Sequence, residues 1–86
     1  MDFIPGNLVF SKAGRDKGYP MMILSVNGSV VTVADGKERP LRRPKSKNMK
    51  HLSPTGIKID LSPHPTDRAL RKALAGWTPN RMKDGD

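Results

Sequence analysis

The chain has no cysteine, few aromatic residues and no long apolar run. Without cysteine, neither a disulfide nor a thiolate metal site can form. The two histidines, His51 and His64, have no acidic cluster beside them, so they do not make a zinc site and no metal or cofactor is expected. No stretch approaches the roughly 18 apolar residues that cross a bilayer. The opening residues, Met-Asp-Phe-Ile-Pro-Gly, lack both the basic start and the apolar centre of a secretory signal. The expectation is a cytoplasmic protein without a membrane partner. The aromatics are Phe3, Phe10, Tyr19 and Trp77, too few for a stacking platform along a single strand, which favours recognition of backbone and shape. Signatures of catalysis are missing as well: the sequence has no P-loop spacing, no nucleophile-elbow serine and no paired carboxylates in an apolar setting, so no enzymatic activity is expected.

What the chain does have is positive charge. Its 86 residues carry a formal net charge of +8. Residues 37–51 hold seven Lys or Arg against one acid, a local +6. Unpaired charges are too costly to bury, so this run belongs on the surface. Clustered cations on a small domain call for a polyanion, with nucleic acid ahead of anionic membrane. The length allows one domain with a small core and a net stability on the order of 5 kcal/mol.

From Leu8 to about Leu52 the chain reads as β. Leu8-Val9-Phe10 is a short strand, and residues 13–18 form a loop with two glycines. Tyr19 to Val26 is a second strand, with Met22, Leu24 and Val26 expected on one face. Asn27-Gly28 predicts a type I′ hairpin turn, since both central residues of that turn need φ > 0. Ser29 to Ala34 is a β-branched strand with Val31 and Val33 on one face. Asp35-Gly36 predicts a second turn of the same kind, with strand four beginning near Lys37. Pro40 and Pro44 mark that strand as an edge or an interrupted one. Closing the meander against strand one, with a last short strand near His51-Leu52, gives a mainly β, five-strand barrel over residues 1–54.

Residues 55–86 are expected to be a linker, a short helix over about 67–75 and a frayed C-terminal tail. Ser53-Pro54-Thr55-Gly56 reads as a turn. Thr66 suits an N-cap and Asp67 the positive helix end. Leu70, Ala73, Leu74 and Trp77 follow i, i+3, i+4, i+7 spacing, one apolar stripe that docks the helix, and Gly76 is the expected stop.

The run Gly6-Asn7-Leu8-Val9-Phe10-Ser11-Lys12-Ala13-Gly14-Arg15-Asp16-Lys17-Gly18 resembles a KOW motif, found in SH3-like barrels of ribosomal proteins and transcription elongation factors. With Val31-Thr32-Val33-Ala34-Asp35-Gly36, Arg39 and Lys50-His51-Leu52, the resemblance extends to the L-fourteen-e class of archaeal and eukaryotic large-subunit ribosomal proteins, and to short bacterial KOW-domain RNA-binding proteins of that class. It covers roughly residues 4–54. It implies a non-catalytic RNA-binding protein, associated with ribosomal RNA or the ribosome. Gly14 and Gly18 would shape the loop while Lys12, Arg15 and Lys17 meet phosphates. Arg42, Arg43, Lys45, Lys47 and Lys50 would form a second basic element, with His51 beside it. A monomer is expected, with a further protein partner for the C-terminal helix.

Competing readings stay open. The Gly-rich loop can be only a turn, and edge lysines can serve only to discourage aggregation. His51 suits a base or phosphate contact as well as a packed histidine closing the barrel. Trp77 could stack on a base instead of anchoring the helix. His64, flanked by prolines, reads as a loop residue. Asp16 and Glu38, each between two cations, read as paired surface charges. The rival functions are an elongation-type factor and a protein-interaction module of SH3-like form.

Overall fold

Adjacent residues in the strands go to two different apolar clusters, so both faces of the sheet are covered. The computed structural model describes residues 2–79. It contains β1 (Asn7–Ser11), β2 (Pro20–Asn27), β3 (Val30–Ala34), β4 (Lys45–Asn48), β5 (Leu52–Lys58) and α1 (Asp67–Leu74). A 3₁₀ turn, Met49–His51, links β4 to β5, and another, Ala75–Trp77, follows α1. The strands form one open antiparallel sheet in the order β4-β3-β2-β1-β5. No helix among the described residues is long and apolar enough to cross a membrane.

One face carries Leu8, Met22 and Ala34, and α1 covers it with Leu70 and Leu74. Leu70 is fully buried, which is worth about 1.5–3 kcal/mol of transfer free energy. An eight-residue helix is marginal alone, so this contact is what holds it. The other face carries Val9, Met21, Ile23, Val31, Val33 and Leu52, with Phe3 and Met49 packed against them. These six are buried although α1 packs on the opposite face, so the sheet curls over them.

Several boundaries differ from the sequence expectation, each for a local reason. The first hairpin closes around Gly28 and Ser29, because Asn27 pairs with Val30. Only Gly28 has positive φ there (63°), the signature of a II′ turn and not I′. A bulge between Ile23 and Ser25 shifts the register, so Val26 opposes Val31 and leaves the face of Met22 and Leu24. Asp35-Gly36 is not a hairpin turn. The Asp35 carboxylate accepts the backbone N–H groups of Lys37 (2.9 Å) and Arg39 (2.8 Å), while the N–H groups of Asp35 and Gly36 donate to the Arg39 carbonyl. The chain closes on itself there, so β4 begins only at Lys45, past both prolines.

The C-terminal part is also more integrated than a linker. Residues 53–56 are not a turn between elements: β5 runs on to Lys58 and absorbs the irregularity as a bulge. The Thr55 hydroxyl donates to the Leu8 carbonyl (2.7 Å) at this point. The sheet therefore extends past residue 54, and Ile59 joins the apolar cluster that α1 covers. Thr66 caps α1 by accepting from the Ala69 N–H (3.1 Å). Gly76 is not the stop, as it has no left-handed φ; the Thr78 hydroxyl instead donates to the Leu74 carbonyl (2.9 Å). The tail expected to fray lies outside the described residues from position 80 onward.

Candidate nucleic-acid interface

Two connections carry most of the candidate side chains. The first, residues 12–19, joins β1 to β2. Gly14 (φ 83°) and Gly18 (φ 86°) adopt left-handed backbone there. The loop is fastened by Gly18 N–H donating to the Ser11 carbonyl (2.7 Å) and Tyr19 N–H to that of Asp16 (2.9 Å). The Ser11 hydroxyl donates to Asp16 Oδ1 (3.0 Å).

The second, residues 35–44, joins β3 to β4 and rests on α1. Asp67 Oδ1 accepts from the Leu41 N–H (2.7 Å), and Arg71 Nη1 donates to the Gly36 carbonyl (2.7 Å). Gly36 is required here. Its φ is +80°, and a Cβ at this position would lie 2.5 Å from the Asp67 carbonyl oxygen. The basic run is thus displayed by a connection tied to the helix at two points, not by a loose tail.

A groove opens between these connections and β4. Arg15 and Tyr19 line it from the first connection, Lys37, Glu38 and Arg39 from the second, and Lys45 and Lys47 from β4. Gly14, Asp16 and Asp35 complete it. Five cations face three carboxylates, and two of those carboxylates are committed within the fold. Asp35 holds its own turn. Asp16 Oδ1 is 3.3 Å from Lys47 Nζ. Burial pushes the Asp16 carboxyl upward, but the Ser11 hydroxyl and the Lys47 ammonium outweigh it and leave it below its ordinary value. Arg15, Lys37 and Lys45 are exposed, while Arg39 Nε is buried and lacks a hydrogen-bond partner among the described residues.

The structure therefore brings Arg15, Lys45 and Lys47 to one groove. Lys47 differs from the others in being an ion-pair partner, with its side chain 13% exposed. Asp16, read from the sequence as a paired surface charge, pairs with the distant Lys47. Arg42 and Arg43 are exposed on the same connection as Lys37 but outside the groove. Lys12 and His51 are neighbours, Lys12 N–H donating to the His51 carbonyl (2.8 Å), and both are exposed, so His51 is not a packed closure of the sheet. Lys17 and Lys50 are also exposed. Sequence reasoning missed Lys37, Arg39 and Tyr19 as groove residues. The signal available was the Asp35-Gly36 pair, which turns the chain back within five residues and so presents 37–39 toward the first connection.

The helix stripe is spent on the sheet. Leu70 and Leu74 are buried, whereas Trp77 is 44% exposed with its ring edge-on to Phe10 at a centroid distance of 6.4 Å. A protein partner on the helix would meet its polar face and Trp77. No group of three or more His, Asp or Glu side chains is placed to hold a metal ion among the described residues. No family model matches the sequence, and no curated protein matches it.

Proposed function

We propose that the chain is a non-catalytic RNA-binding protein, an SH3-like barrel of KOW type that grips the phosphate backbone of structured RNA from the face holding the two basic connections. The observation that carries this reading is the convergence of Arg15, Lys37, Arg39 and Lys45 on one groove from three separate parts of the chain. Exposed cations held by a fastened backbone meet phosphates without first losing loop entropy. The strand order suits such a barrel, with β5 returning to pair with β1 after one 3₁₀ turn. The resemblance in residues 4–54 makes ribosomal RNA, in the cytoplasm, the first candidate. Other exposed cations, among them Lys12, Lys17, Arg42, Arg43 and Lys50, add positive charge outside the groove.

The experiment is a binding titration of a labelled structured RNA with the full chain and with the Arg15→Glu, Lys45→Glu double variant. Loss of most of the affinity in a variant that melts like the parent supports the reading. Equal affinity of parent and variant, or no binding by the parent, refutes it.

A further inference from the structure

The groove contains features that a backbone-phosphate contact does not use. Tyr19, the only tyrosine of the chain, is half-buried and lines it from the first connection. Glu38 lines it too, with no hydrogen bond or ion pair among the described residues to occupy its carboxylate. A carboxylate repels phosphate but accepts the N–H donors on the edge of a base. Arg39, which lines the groove next in sequence, has its Nε buried without a hydrogen-bond partner among the described residues. The groove volume of about 570 Å³ falls in the range of about 300–1,000 Å³ typical of small-ligand sites. That volume is enough for one nucleotide.

We infer that the groove takes a single unpaired nucleotide of the RNA, its base against the Tyr19 ring and its phosphate against Arg15 and Lys45. This rests on the RNA reading above and narrows it, from structured RNA in general to structured RNA bearing a bulged or looped-out base. Extruded bases are what proteins read on RNA, because the deep groove of an A-form helix hides the paired ones. Stacking on one aromatic ring is tolerant of base identity, while Glu38 favours bases with N–H donors on the open edge.

The test compares two hairpin RNAs of equal length, one fully paired and one with a single bulged guanosine, bound to the full chain and to Tyr19→Leu and Tyr19→Phe. The wild type should bind the bulged hairpin roughly 5- to 150-fold more tightly, the range that one base–aromatic stack supplies. Tyr19→Phe should keep that ratio and Tyr19→Leu should bring it close to 1. Because Tyr19 is the only tyrosine, its ring protons can be followed without variants; they should shift upfield on adding the bulged hairpin and not the paired one. Tight binding of both hairpins with a ratio near 1 and no ring shift overturns this inference while leaving the RNA reading standing. Failure to bind either hairpin overturns both.

Discussion

Lys47 in β4 and Asp16 in the β1–β2 connection form an ion pair at 3.3 Å. Lys47 opposes Val31, so it projects from the face of the second apolar cluster. On a flat sheet β4 would lie roughly 10–14 Å from β2 and β1, two and three strand spacings away. The pair therefore ties the edge of the curled sheet to the connection that leans over it. It also removes one cation and one carboxylate from the groove's electrostatics.

Asp16 gives a pH prediction. Its folded carboxyl lies below the ordinary value, so it stabilises the fold above the unfolded value near 3.8 and that contribution fades as pH falls through the folded value. Asp16→Asn should be less stable than wild type by about 1 kcal/mol at pH 7, as expected for a half-buried pair with one added hydrogen bond. The two melting curves should converge as pH falls below the folded value of the Asp16 carboxyl. A stability gap that stays constant down to pH 2 would show that the loss comes from packing and not from charge.

Gly36 tests the docking of the basic connection on α1. Gly36→Ala meets both a left-handed φ and the Asp67 carbonyl, and should cost about 2 kcal/mol or more. Asp67→Ala, which leaves the Leu41 N–H without its acceptor, should cost about 1–3 kcal/mol. Chemical denaturation measures both. If each variant falls within about 0.5 kcal/mol of wild type, the connection does not rest on the helix.

The helix should depend on Leu70 more than on Trp77. Leu70→Ala should lose about 2–5 kcal/mol. Trp77→Ala should lose about 1 kcal/mol, the size of an edge-on aromatic contact at a half-exposed site. Trp77 is the only tryptophan, so acrylamide quenching of native fluorescence reads its exposure and should fall between buried and free indole. Complete protection from quenching would contradict the described geometry.

The sequence pattern carried the β class, the first three strands, the helix and its cap, because alternation, β-branching and Thr66 act locally. It misplaced what depends on contacts distant in the chain. The β2 bulge that reassigns Val26 exists only in the pairing with β3. The long connection before β4 is set by Asp35 folding its carboxylate over Lys37 and Arg39, and by Asp67 and Arg71 from a helix about 30 residues further on. The basic run was legible as a surface element from charge alone. That Lys47 is consumed by Asp16, and that Tyr19 shares a groove with Lys37, Arg39 and Lys45, follows from how the sheet curls, which no local pattern encodes.

The exposed arginines outside the groove separate binding from folding. Arg42→Glu with Arg43→Glu should weaken structured-RNA binding by a large factor while stability changes by no more than about 0.5 kcal/mol per site, since both side chains are exposed. Unfolding of this double variant would assign the pair to structure instead.

The most direct test of electrostatic RNA recognition is the salt dependence of affinity for a structured RNA, measured with the full chain over a tenfold range of monovalent salt. Contact with about four to six phosphates releases counterions and predicts a slope of log K against log salt near −3 to −5. Tight binding that does not change with salt would contradict the account.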